Sequence, residues 1–252
     1  MTPPVRLVCI VRAKDMRLVV IQHLFCETPG AFDEELDRRG VERTVVEIDV
    51  GDRLPDWRGY DGIIAMGGPM SVNDETEHPW LVDEKRWVAE AVEGGKAFFG
   101  ACLGVQVLAS ALGAEVYPLE QPEVGLLPVE RTSEGMDDPV LGPLDDPLVT
   151  LQWHGDTFDL PDGAVLLARS PAAPHQAFRV GERAYGIQFH MEVTPEMAQT
   201  WAGIPEYEAA LVSTLGEEGG RAFLAEAAER HAEITGQGLR LISGWLDLVD
   251  GA

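Results

Sequence analysis

Between residues 17 and 111 the chain repeats one alternation that leaves few folds open. Unbroken apolar runs, LVVIQHL at 18–24, GIIAMGG at 62–68 and AFFGA at 97–101, are separated by helically spaced stretches at 31–39 and from Trp80 to Val92. A strand, TVVEIDV, is expected at 44–50, and a helix from Leu103 onward. Strands that are apolar on both sides must be covered on both sides, which a parallel sheet between two helical layers achieves. The expected class is therefore α/β. The middle of the chain changes character. EVGLLPVERT, LVTLQWH, AVLLARS, HQAFRV and AYGIQFH are short strand-like segments split by Gly, Pro and Asp, which predicts an antiparallel portion added to the same domain. After TPEMAQTWAG the sequence reads as helix, with Ala and Glu dominating 206–233. Leu239, Ile242, Leu246 and Val249 form an apolar stripe that either folds back over the domain, the commoner outcome, or faces a second chain.

Charge narrows the partners. With 43 acidic against 19 basic residues the formal net charge is −24, and such a surface repels phosphate backbones and anionic lipid. Neither nucleic acid nor a membrane is an expected partner. No apolar run approaches the roughly 18 residues of a bilayer span, and the patch from Leu7 to Val11 is too short for a secretion signal. A cytoplasmic location is expected. Two similar openings, RLVCIV at 6–11 and RLVVIQ at 17–22, both resemble a first strand. Residues 1–15 are therefore read as an extension, with Met16 an alternative start to Met1, then a domain at 16–202 and a helical segment at 203–252. The three cysteines, Cys9, Cys26 and Cys102, cannot all pair and show no CxxC spacing, so neither a disulfide framework nor a thiolate metal site is expected.

One thiol sits where chemistry is expected. In Gly100-Ala101-Cys102-Leu103-Gly104 a strand turns into a helix around the cysteine, with glycine at each second neighbour. So tight a turn crowds the flanking Cβ positions, and glycine relieves the crowding, as in a nucleophile elbow. The helix dipole there favours thiolate, and the Leu103 N–H is placed to meet a substrate oxygen. A small buried hydrophobe at a strand end is the plainer role for a free cysteine. His190 and Glu192, in YGIQFHMEVT, are two apart on an expected strand and so share a face. The carboxylate can then accept the Nδ1 hydrogen and fix the tautomer; an ordinary surface pair would look the same. The His-x-Glu of zinc deaminases lacks its Pro-Cys-x-x-Cys partner here. MGGPMSV, at 66–72, leaves bare peptide N–H groups at the carboxyl edge of the sheet, or else is a plain tight turn.

In combination these segments resemble the class I, or triad, glutamine amidotransferase family. GGP at 67–69, GACLGVQ at 100–106 and QFHMEVTPE at 188–196 stand in that family's order, and the likeness spans about residues 17–200. LQWHGDTFDLPDGAVLLARS at 151–170 and HQAFRVG at 175–181 are similar to free-standing members related to the amidotransferase part of guanylate synthases. Some relatives in that branch are plant γ-glutamyl peptidases. The resemblance implies a flavodoxin-like fold and a thioester mechanism. Cys102 would be the nucleophile, His190 the general base and acid, and Glu192 its orienter. Gly68 and Leu103 would supply the oxyanion-hole amides, with Gly67 and Gln106 near the substrate. Trp153 and His154 would lie where backbone meets the substrate's α-groups. His154 with Asp156, and Glu123, are read as structural. No cofactor and no metal is expected.

Glutamine is the first substrate expected, with the ammonia passed to a synthetase subunit or released. The same triad would serve a γ-glutamyl peptidase, or stand inert in a regulatory subunit. The S-G-G-x-D-S phosphate loop of the ATP-dependent domain that guanylate synthases carry is absent, and residues 203–252 are too few to house that domain. Leu103 also stands where several relatives carry Tyr or Arg.

Overall fold

The computed structural model describes residues 16–251. The readings that fall on residues 1–15, including the extension, the alternative start and Cys9, lie outside them. The strands are β1 (Arg17–Gln22), β2 (Glu42–Glu47), β3 (Gly62–Ala65), β4 (Ala97–Ala101), β5 (Val116–Arg131), β6 (Leu148–Phe158), β7 (Val165–Arg169), β8 (Ala177–Val180) and β9 (Ala184–Ile187). The helices are α1 (Phe32–Arg38), α2 (Trp80–Glu93), α3 (Leu103–Ala111), α4 (Ser133–Asp137), α5 (Pro195–Trp201) and α6 (Pro205–Asp250). The sheet runs β2-β1-β3-β4-β9-β8-β7-β5-β6. β2, β1, β3, β4 and β9 pair in parallel, whereas β8, β7, β5 and β6 add on in antiparallel pairings.

Alternation along each parallel strand builds two cores. Leu18, Val20, Ile64 and Phe99 join Phe32 and Leu36 of α1 and the distal half of α6 on one face. Val19, Ile21, Ile63 and Phe98 join Val88 of α2 and Val105 and Leu108 of α3 on the other. Covering both faces explains why the central strands carry unbroken apolar runs rather than alternating ones.

Four expectations need correction. The strand expected at 44–50 ends at Glu47, and Ile48–Val50 forms a 3-10 turn. Gly51, at φ 99°, closes that turn with its N–H on the Ile48 carbonyl. The segment at 123–132 is not a short strand but part of β5, sixteen residues long, with its register to β6 shifted between Pro118 and Glu123. Pro122 lies inside that irregularity, where the absent N–H costs no ladder bond. The strand expected to reach His190 stops at Ile187. His190 is instead pinned by an isolated antiparallel bridge to Leu151, its N–H donating to the Leu151 carbonyl at 2.8 Å.

The fourth correction concerns the stripe in α6. Ile242, Leu246 and Val249 are buried against the sheet, joined by Leu241 and Trp245. Leu239 is only half-buried. Its place against the domain goes to Gly238, where a Cβ would overlap the Met191 carbonyl oxygen. The helix also breaks at Gly216 (φ 69°, ψ 169°), and its first part packs on Trp153 and Trp201. Among the described residues no helix is long and apolar enough to cross a membrane.

Candidate active site

The carboxyl ends of β1, β3, β4 and β9 converge on one rim, the place where doubly wound sheets open a crevice. Cys102 stands there between β4 and α3 at φ 52° and ψ −106°, the one non-glycine residue with positive φ among those described. Such a backbone costs about 1–3 kcal/mol and is held from several sides. The Cys102 N–H donates to the Ile187 carbonyl at 2.9 Å, and the Gly104 N–H to the Met66 carbonyl at 3.1 Å. A Cβ on Gly100 would overlap the Gly104 carbonyl, and one on Gly104 the Ala65 carbonyl. Both glycines are therefore required by close backbone approach. Leu103 opens α3, so its N–H has no intrahelical acceptor and lies at the positive end of the helix dipole.

His190 and Glu192 meet beside this turn. His190 Nδ1 donates to Glu192 Oε1 at 2.6 Å, and Glu192 Oε2 accepts the Met191 N–H at 2.9 Å. Both side chains are buried. The contact is made on a bent segment rather than by the strand alternation the sequence suggests. The Trp201 ring packs edge-on to the imidazole, 4.8 Å between centroids. Burial pushes the His190 ring toward neutrality. The Glu192 carboxylate, followed by the charge and hydrogen bond of Cys102, more than reverses this and holds it well above the ordinary imidazole value. The sulfur thus lies close enough to the ring to act on its charge. Cys26, at the exit of β1, has no such setting: burial and then Glu27 push its thiol up to about 11.

A cleft of about 320 Å³ opens over the sulfur, lined by Gly68, Ser71, Cys102, Gln106, Trp153 and Tyr207 among others. Gly68 abuts Leu103, with 2.7 Å between the Leu103 Cδ2 and the position a Cβ would take. Gly67 packs against Glu27 and the His190 ring. Gln106 Nε2 donates to Gln188 Oε1 at 3.0 Å, and Gln188 Nε2 approaches the Cys102 sulfur at 3.7 Å. Trp153 turns its ring away into a cluster with Trp201, Tyr207 and Phe223. His154 Nδ1 donates to the Asp156 backbone carbonyl at 2.8 Å, while its Nε2 faces Glu123 at 3.2 Å. The Asp156 carboxylate instead accepts from Ser71 Oγ at 2.6 Å. Glu123 also takes bonds from Ser170 and Gln176, which makes it a buried hub under the β5–β6 hairpin.

Four residues at this rim were not singled out from the sequence. His23 and Glu84 form a buried pair behind Gly67. Glu27 lies fully buried, its Oε1 accepting from the Tyr207 hydroxyl and its Oε2 unpartnered. Desolvation raises Glu27 to about 7, against the lowering pull of His190 and Tyr207. Tyr207 reaches the cleft from α6. The available signal was position: His23 directly follows a central strand at its carboxyl end, and Glu27 stands four residues further on.

Residues 31–201 match the family model described as glutamine amidotransferase class-I. The glutamine amidotransferase-like protein YfeJ of Salmonella typhimurium is 30% identical over 221 residues, covering 86% of this chain and 90% of that protein. The GMP synthase [glutamine-hydrolyzing] of Thermomicrobium roseum is 39% identical over 143 residues, covering 56% of this chain but only 24% of that protein. A glutamine amidotransferase crystal structure from Thermotoga maritima superposes with a TM-score of 0.81 at 28% identity, covering 95% of this chain and 100% of that one.

Proposed function

Because the chain belongs to the class I glutamine amidotransferase family, we propose that it hydrolyses the γ-amide of glutamine or a γ-glutamyl compound through a thioester on Cys102. The observation that carries this reading is the convergence at the sheet rim. A cysteine at positive φ lies close enough to act on an imidazole whose Nδ1 donates to a buried carboxylate.

In the proposed reaction the Cys102 thiolate attacks the γ-carbonyl carbon, and the oxyanion forms against the Gly68 and Leu103 amides. His190, held protonated by Glu192, gives its proton to the departing nitrogen, so ammonia or an amine leaves and the thioester remains. The neutral ring then takes a proton from water, whose oxygen attacks the thioester. Glutamate leaves and the thiolate returns. Gln188, bonded to both Gln106 and the sulfur, sets the thiol's orientation against the cleft.

The test is glutamate release by purified protein from glutamine and from γ-glutamyl dipeptides. The ratio of the two identifies the substrate class. Release that requires a second protein would assign this chain as the ammonia-donating partner of a synthetase. Cys102→Ala should lower release about 10³-fold or more, and Cys26→Ala should leave it unchanged. A Cys102→Ala protein that keeps its turnover refutes the reading.

A further inference from the structure

His23 follows β1 and is wholly buried, with oxygen atoms at both ring nitrogens. Nδ1 lies 3.0 Å from the Gly67 carbonyl oxygen, and Nε2 lies 2.9 Å from Glu84 Oε1, reaching from α2. Trp80 stacks over the ring at 5.8 Å, 25° from parallel. Glu27 is the other charged group close enough to act on it. A carbonyl oxygen carries no hydrogen, so Nδ1 must be the donor in that contact whichever of His23 and Glu84 holds the proton they share.

The Gly67–Gly68 peptide is trans, since the one cis bond among the described residues precedes Pro147. In a trans peptide the C=O and the following N–H point in opposite directions. A carbonyl drawn toward His23 therefore turns the Gly68 N–H away from it, and Gly68 lines the cleft together with Cys102. A donor on a carbonyl also polarises that peptide and strengthens its N–H as a donor. Bare GGP backbone has neither constraint by itself.

We propose that His23 is a positioning residue for the oxyanion site: held by Glu84, its Nδ1–H fixes the Gly67 carbonyl and so aims the Gly68 amide at the substrate oxygen. This rests on the thioester reading above. Glu84 acts through His23, and neither side chain touches substrate. The buried Glu84, whose Oε2 has no partner, locks the ring's orientation and protonation.

Two measurements test this. The first is the nitrogen-15 NMR spectrum of histidine-labelled resting protein, with the His23 signals assigned by their loss in His23→Asn. Nδ1 should carry hydrogen throughout, including about two pH units above the ordinary imidazole value; an Nδ1 without hydrogen overturns the proposal. This measurement needs no turnover and stands even if no substrate is found. The second compares His23→Leu/Glu84→Leu, which leaves no orphan charge, with His23→Asn/Glu84→Leu, whose Asn Nδ2 occupies the place of ring Nδ1. The first pair should lower kcat about 10²-fold with KM nearly unchanged, and the second should recover about tenfold of that loss. Equal kcat in the two pairs, or a Leu/Leu protein with wild-type kcat, overturns it. An inactive wild type would count against the thioester reading and leave the NMR result to decide on the ring.

Discussion

His190 lies between two buried carboxyl groups. Glu192 bonds its Nδ1 at 2.6 Å, and Glu27, behind Gly67, is close enough to feel its charge. The raised imidazole keeps its proton to higher pH than an ordinary histidine, so in the proposed reaction it can still protonate the leaving nitrogen there. Glu192→Gln removes the carboxylate that raises the ring. The alkaline limb of kcat/KM against pH should then move to lower pH, and an unmoved limb would contradict the assignment. Glu27 has the reverse linkage. Raised to about 7 from an ordinary 4.5, it holds a proton in the folded chain that the unfolded chain has already released. Its contribution is full below about 4.5, is lost as pH rises to about 7, and amounts to about 3 kcal/mol at most. Urea denaturation across that range should show wild type losing stability relative to Glu27→Gln, whose side chain never ionises. Residues of this kind were not legible in the sequence, because His23, Glu27, Glu84 and Tyr207 belong to no spaced motif. They meet only once β1, α2 and α6 are packed.

Elements were legible where a single physical cause set them. β4 has the bounds its apolar run predicts, because burial on both faces and the glycine turn fix its ends. β2 and β9 were overrun for a shared reason. Alternation continues in the letters past the point where a turn or an isolated bridge takes over the backbone hydrogen bonds. The pairing of His190 with Glu192 was foreseen, but on strand geometry the chain does not use. The turn after β4 makes the strictest demand. Gly104→Ala would drive a methyl into the Ala65 carbonyl, a backbone atom with nowhere to go. A loss of about 3 kcal/mol is expected, read as a lower urea midpoint, with slower labelling of Cys102 as the turn opens.

At the scale of the whole molecule, α6 closes the fold. Its distal half supplies one face of the sheet with Leu241, Ile242, Trp245 and Leu246, while Tyr207 near its start enters the cleft. The same helix thus contributes to both the cleft lining and the core. Trp245 is fully buried beside Phe99, 5.7 Å between ring centroids, and its Nε1 donates to the Arg183 carbonyl. Trp245→Ala should cost about 3–5 kcal/mol, seen as a large drop in Tm. A drop of a degree or less would mean that the helix is an appendage rather than part of the core. The net charge of −24 acts on the entire surface. Raising salt from about 0.05 M to about 0.5 M screens that repulsion and should raise Tm; a lowered Tm would mean that the surface ion pairs outweigh it.

The central claim is that the Cys102 thiolate attacks a glutamine-like carbonyl. Peptide mapping by mass spectrometry, after treatment with a chloroketone analogue of glutamine, reads this directly. The adduct should fall on Cys102, leave Cys26 untouched and be suppressed by excess glutamine or the preferred γ-glutamyl substrate. An unlabelled Cys102, or labelling of it that no such substrate slows, would contradict the account.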